Sequence, residues 1–235
     1  MMAAGIGENA ASAARRVLNL ERAFLTQAVD FMLDRGIRQF LDLGCGLPGA
    51  GSPHEMGGLA GRAVRVVHVD HDPGVVERAK RVIADTEHRY LLCHDVTDVP
   101  GVIGMARMTG MLDLRHPVGV VAVGLLHLVP VVDRLLPRYS EELALDSVFA
   151  ASHLTRRFEG GEAAELIGGP TYPREPREIT AMFDGLPLLK PGVVALPHEW
   201  GKPVRGTAAA AGVVAGIAVK REPLGPAQMA PARIA

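Results

Sequence analysis

The chain reads as an α/β protein built on a doubly wound, mostly parallel sheet. Three observations predict this. Short apolar runs alternate with helix-spaced segments along most of its length. Three of these runs lead into an aspartate, at Asp42, Asp70 and Asp95. The first, Gln39–Leu43, passes directly into Gly44-Cys45-Gly46. That is the pattern of a buried strand entering a turn whose backbone meets a ligand closely.

Each element follows from local pattern. Leu18–Arg35 has helical spacing, with Leu20, Phe24, Ala28, Phe31 and Met32 on one face and Gly36 as C-cap. The first strand is Gln39–Leu43. Ser52-Pro53-His54-Glu55 opens a short helix, with Ser as N-cap, Pro in the first turn and Glu three residues on. Val64–Val69 is the second strand, ending at Asp70. Asp72-Pro73 starts the next helix, with Val75, Val76, Ala79, Val82 and Ile83 as its buried stripe. Arg89–Cys93 is the third strand, followed by a helix within Val99–Met108. Val118–Val123 is wholly apolar, as a central parallel strand should be. A helical region within Val131–Leu143 carries Pro137, and Ser147–Ala151 is a fifth strand. Thr155–Pro176 is polar, Gly- and Pro-rich, and reads as a surface excursion. Arg177–Phe183 is a helix closed by Asp184-Gly185. Val193–Leu196 and Val213–Val219 are the last strands. Residues 1–14 read as a frayed, flexible terminus, 15–220 as one domain, and 221–235 as a loose tail rich in Pro and Ala.

Composition narrows the function classes. A chain of 235 residues with 48% hydrophobic and 22% charged content can bury a sizeable core. Formal net charge is −1, so no broad attraction to nucleic acid or anionic membrane is expected. The longest apolar run, Ala208–Val219, is too short to span a bilayer. Two cysteines, Cys45 and Cys93, make neither a disulfide framework nor a zinc site. No metal site is expected at His68-x-x-His71, because that spacing on a strand points the side chains to opposite faces. A cytoplasmic location follows by default, and nothing in the sequence sets an oligomeric state.

Gly44-Cys45-Gly46-Leu47-Pro48-Gly49 matches the G-x-G-x-x-G dinucleotide pattern letter for letter. In that fingerprint the helix opens inside the motif, so that its N-terminus meets the pyrophosphate. Here Pro48, Gly49 and Gly51 disfavour a helix, and the helix start at Pro53 comes several residues too late. A strand-end carboxylate at Asp42 suits a cationic ammonium better than a pyrophosphate. Asp70 is placed to accept from ribose hydroxyls, and Asp95 from an adenine amino group. Together they describe an adenosine with a positively charged tail, and S-adenosylmethionine has that shape.

The set Leu41-Asp42-Leu43-Gly44-Cys45-Gly46, Val69-Asp70 and His94-Asp95 resembles the class I S-adenosylmethionine-dependent methyltransferases. More narrowly, several stretches resemble the actinobacterial S-adenosyl methyltransferase family formerly known as a domain of unknown function. They are Gly36–Gly44, Gly46-Leu47-Pro48, His54-Glu55, Val69–Pro73, Leu126-His127-Leu128-Val129-Pro130, Phe183-Asp184-Gly185, Pro191–Val194 and Trp200. The resemblance implies a Rossmann-like, seven-stranded sheet ending in a C-terminal antiparallel hairpin, with ligand across the carboxyl ends of strands one and four. Relatives carry a Tyr-Leu-Leu-Gly-Gly-like segment ahead of the first helix, whereas this chain opens almost at that helix. They also have Thr at the position of Cys45 and an acidic residue at that of Val131.

The expected cofactor contacts are Asp42, Gly44, Cys45 and Gly46 in the first loop, Asp70 and His71 after strand two, and Asp95 and Val96 after strand three. Cys45 is read as a small turn residue offering its backbone N–H. His54 and Glu55 face the mouth of the loop. His127, just past strand four, is the candidate catalytic base: a neutral imidazole could take a proton from an acceptor hydroxyl or amine. The chain lacks the Asn/Asp-Pro-Pro-aromatic motif of the amino-methylating nucleic-acid enzymes, having Gly124-Leu125-Leu126-His127 in its place. A small-molecule methyl acceptor, modified on O or N, is the expectation. The alternative is a cofactor-binding module without methyl transfer, serving as a sensor or partner subunit.

Overall fold

A computed structural model describes residues 2–49, 51–83, 87–158, 167, 169–200 and 212–222. The elements are α1 (Met2–Asp34), β1 (Gln39–Leu43), α2 (Pro53–Leu59), β2 (Arg65–Asp70), α3 (Pro73–Lys80), β3 (Arg89–Cys93), α4 (Val99–Met108), β4 (Gly119–Ala122), α5 (Leu135–Glu142), β5 (Val148–Leu154), α6 (Pro176–Ala181), β6 (Val194–Ala195) and β7 (Val213–Val219). They form one seven-stranded sheet in the order β3-β2-β1-β4-β5-β7-β6. The first five strands are parallel, while β7 runs antiparallel to both β5 and β6. The expected fold class, hairpin included, is the observed one.

Strand alternation assigns the two faces. Leu41, Leu43, Val67, Val69, Val120 and Phe149 pack against α4 and α5. Phe40, Val66, Val121, Val148 and Ala150 pack against α1 through Phe24, Ala28, Val29, Met32 and Leu33. Each fully buried large apolar side chain contributes roughly 1.5–3 kcal/mol, so α1 is held by its stripe and not by propensity alone.

Several local expectations are corrected. The first helix begins at Met2, not Leu18, and already buries Ala14 and Val17, so the stretch expected to be a frayed terminus is largely helical. In α3, Val76 and Ala79 are buried but Val82 is 60% exposed, because the helix ends at Lys80. The helix expected within Val131–Leu143 starts at Leu135. Pro137 lies in its first turn, where no intrahelical N–H is needed. Strand β5 continues past Ala151 through Ser152, His153 and Leu154, which extends the sheet towards the site. Ser52 precedes α2 but makes no capping bond with its side chain. Glu55 instead accepts from the Gly51 N–H at 2.8 Å, and the Ser52 hydroxyl pairs with His54 Nδ1 at 3.1 Å. The tail beyond residue 222 and the middle of the Thr155–Pro176 excursion, 159–166 and 168, lie outside the described residues.

Candidate functional site

Parallel order reverses between β1 and β4, and a crevice opens there at the carboxyl ends of the strands. It is a cavity of about 720 Å³, within the range of small-molecule sites. Gly44, Gly46, Asp70, His71, Asp95 and Val96 all line it, drawn from three separate strand ends. Opposite them stand Gly124, Leu125 and the run Leu128–Val131.

The glycine loop is shaped by left-handed backbone. Gly44 has φ +64°, and a Cβ there would lie 2.5 Å from Leu125 Cδ1. Glycine therefore lets the loop and the turn after β4 close on one another. Asp70 ties the loop to α3: one carboxylate oxygen accepts from the Gly46 N–H at 3.0 Å and the other from the Asp72 N–H at 3.0 Å. Each oxygen keeps a further lone pair for a ligand hydroxyl. Asp95 Oδ1 accepts from the Thr97 N–H and the Thr97 hydroxyl, both at 2.8 Å. Those bonds, the backbone one first, hold its carboxyl below the usual range and keep it anionic. His71 is exposed on the cavity rim, with Nδ1 3.8 Å from Asp70 Oδ1.

Three expected site residues are not on the cavity wall. Asp42 falls on the α1 side of the sheet, directly beside His68 in the β1–β2 register, and its Oδ2 lies 2.8 Å from His68 Nδ1. Strand alternation alone decides this. The N–H of Cys45 donates to the Val69 carbonyl at 3.0 Å, and its side chain packs with Val76, Ala79 and Leu91. Burial, followed by the neighbouring Asp42 and Asp70 charges, pushes its thiol far above the normal range. His127 is 1% exposed, and neither ring nitrogen has a hydrogen-bond partner among the described residues. Burial, with smaller contributions from His153 and Arg174, pulls it down to about 3, so the imidazole is neutral.

Sequence reasoning missed the group around His127. Glu21 of α1 is buried, and its Oε1 accepts from the Ser152 hydroxyl at 2.8 Å. The same oxygen lies 3.9 Å from His127 Nδ1. Burial pushes the Glu21 carboxyl up to about 7, with the Ser152 bond partly opposing. The legible signal was position: Val17, Glu21, Phe24 and Ala28 share one buried stripe, so a carboxylate stood where an apolar residue was due. Arg174 closes the far side, its guanidinium donating to the Leu126, Val129, Pro130 and Tyr172 carbonyls and lying 3.0 Å from His153 Nε2. No group of side chains able to hold a metal converges among the described residues.

The sheet order, the crevice at its reversal point and the carboxylates at adjacent strand ends define a Rossmann-like methyltransferase. The chain belongs to the S-adenosyl methyltransferase family, whose model matches residues 2–221. A protein from Thermobifida fusca with a provisional methyltransferase designation is 28% identical; the match covers 92% of this chain and 87% of that one, with a TM-score of 0.78. A DUF574 family protein from Streptomyces avermitilis is 26% identical over 91% of this chain and 90% of its own, with a TM-score of 0.73. The fold extends to the N-methyltransferase NodS of Bradyrhizobium japonicum bound to S-adenosyl-L-homocysteine, at 15% identity, 86% and 88% coverage and a TM-score of 0.52. No functionally curated protein matches the chain. The cofactor is S-adenosylmethionine, and the cavity fits it. Gly44 admits close backbone approach, Asp70 and Asp95 offer carboxylate lone pairs, and Val75, Val96 and Leu135 supply apolar surface. No helix among the described residues is long and apolar enough to cross a membrane.

Proposed function

We propose that the protein transfers a methyl group from S-adenosylmethionine to an oxygen or nitrogen of a small-molecule acceptor. One observation carries this reading. A single cavity joins the Asp70–Asp95 side, suited to adenosine, to the apolar wall Leu125 and Leu128–Val131, which can seat an uncharged acceptor. S-adenosylmethionine supplies the methyl on a sulfonium and leaves as S-adenosylhomocysteine. The chain's own residues bind and orient it. Asp70 accepts from the ribose hydroxyls, Asp95 from the adenine amino group, and the Gly44–Gly46 backbone lies under the amino-acid tail. The wall after β4 excludes water, so that the acceptor meets the methyl in line. Ile167, from the Thr155–Pro176 excursion, lines the same cavity and supports an acceptor wall drawn from that segment. A formal net charge of −1 supports a small acceptor over nucleic acid or a membrane surface.

Calorimetry with S-adenosylhomocysteine tests the cofactor half, and release of labelled S-adenosylhomocysteine from a metabolite extract tests transfer. Failure to bind, or binding untouched by Asp70→Ala, would sink the proposal. A second reading, a cofactor-binding module without transfer, draws on the burial of His127 away from the cavity wall. Cofactor binding without turnover on any extract would favour it.

A further inference from the structure

The polar group behind Gly124 is not used by the binding scheme above, and it is costly to build. Gly124 lines the cavity with φ +72°. Its N–H donates to the Ser152 hydroxyl oxygen at 2.9 Å, and that hydroxyl donates to Glu21 Oε1 at 2.8 Å. The other carboxyl oxygen, Oε2, lies 3.2 Å from where a Cβ on Gly124 would stand. A side chain at 124 would crowd the carboxyl, so the glycine lets Glu21 lie against the back of the cavity wall. Three elements build this arrangement: α1 brings Glu21, β5 brings Ser152, and the turn after β4 brings Gly124 and His127.

Among the described residues, the surrounding charges do not make the carboxyl half of an ion pair. The titratable group nearest Glu21 on the β4 side is His127, which is neutral and 3.9 Å away. On the β5 side His153 stands beyond His127, with ring centroids 6.0 Å apart, and its Nδ1 is 2.7 Å from the Leu154 carbonyl. Arg174 lies beyond His153 and is occupied by His153 and backbone carbonyls. A glutamine or an apolar residue would fill the same space at lower cost. A buried carboxyl that titrates near neutrality and lies directly behind the cavity-lining Gly124 is suited to general-base work.

Resting on the methyltransferase reading above, we propose that Glu21 is the proton acceptor of the transfer step and meets the acceptor atom beside Gly124. The acceptor's lone pair forms the new bond to the methyl carbon. The carbon–sulfur electron pair returns to sulfur and yields S-adenosylhomocysteine, and the acceptor's O–H or N–H proton passes to the Glu21 carboxylate. Product release returns that proton to solvent. Ser152 fixes the carboxyl by donating to Oε1. His127 is a positioning residue: its Nδ1 lies 3.9 Å from Oε1, about 0.7 Å beyond hydrogen-bond range, close enough to steady the anion after a small shift. The acceptor class follows as a neutral hydroxyl or amine that must lose a proton, not a pre-formed anion.

The test needs no acceptor. Sinefungin carries an amine where S-adenosylmethionine carries the sulfonium methyl, whereas S-adenosylhomocysteine has nothing there. Calorimetry with both ligands, at pH 5.5 and 8, compares wild type with Glu21→Gln. The wild type should prefer sinefungin by about tenfold or more at pH 8, and less at pH 5.5, where Glu21 is protonated. Glu21→Gln should remove that preference at both pH values while S-adenosylhomocysteine binds within about twofold of wild type. A preference that survives in Glu21→Gln overturns the assignment of Glu21 alone. Loss of S-adenosylhomocysteine binding by wild type overturns the cofactor reading and this proposal with it. If Glu21→Gln does not fold, carboxyl ¹³C NMR of the wild type decides. The Glu21 resonance should move on adding sinefungin and stay nearly still with S-adenosylhomocysteine; equal response to both overturns the proposal.

Discussion

The crevice and the packed interior behind it hold their carboxylates in opposite ways. Asp70 and Asp95 stand at strand ends and are fixed by N–H groups within a few residues or in the neighbouring loop. Glu21 is fixed by a hydroxyl 131 residues away in sequence and sits in a dry interior. The donated bonds keep Asp95 anionic, whereas burial brings Glu21 up to about 7. A permanent acceptor suits recognition of hydroxyl and amino hydrogens. A group poised near neutrality suits proton transfer. Local turn geometry supplies the first kind, and only long-range packing supplies the second.

The largest loss is expected at Asp70. Replacing it with Ala removes both loop anchors and the proposed ribose contacts. Two charge-assisted bonds correspond to about 4 kcal/mol of S-adenosylhomocysteine affinity, which calorimetry would read as a loss of several hundredfold or more. Glu21→Gln should act on stability instead. The native carboxyl holds its proton up to about pH 7, whereas the unfolded one releases it near 4.5. The native state therefore binds more protons between those values, and wild-type stability falls as pH rises through that window. The shift corresponds to about 3 kcal/mol, so the urea midpoint of Glu21→Gln should gain on wild type between pH 4.5 and 8.

A smaller effect is expected at the rim. Asp95→Asn keeps an oxygen for Thr97 but loses the charge, and should weaken S-adenosylhomocysteine binding by about 1 kcal/mol. Smallest for binding is Cys45→Ala. Its thiol packs on Val76, Ala79 and Leu91, so thermal unfolding should show a loss of about 1 kcal/mol in stability with affinity within roughly twofold of wild type. A tenfold loss of affinity there would return Cys45 to the cofactor contacts.

Most of the fold was legible, because the central strands are largely apolar runs and several helices carry a start signal of their own. Asp72 accepts from the Gly74 and Val75 N–H groups ahead of α3, and Asp98 accepts from the Gly101 N–H ahead of α4. The late helix start at Pro53, which argued against a dinucleotide, is the observed start of α2. Six of the expected site residues line the cavity because strand-end position alone puts them there. Asp42 is of a type that suits an ammonium, yet the pleat turns it to the α1 side, where it pairs with His68. The depth of His127 was not legible, because a position after a strand does not reveal burial. The Leu125–Val129 turn folds its imidazole inward, where Glu21, His153 and Arg174 surround it.

Local pattern along the chain is enough for the doubly wound sheet, the glycine turn and the carboxylates at Asp70 and Asp95 that suit an adenosine. Periodicity, capping and turn chemistry act within a few residues and need no knowledge of what packs where. Which polar groups are buried together depends on packing between distant elements. The Glu21–Ser152–Gly124–His127 group exists because α1 lies across β4 and β5, and that docking depends on apolar contacts spread over the whole sheet face. Desolvation then sets the proton affinity of Glu21, a quantity no local pattern carries.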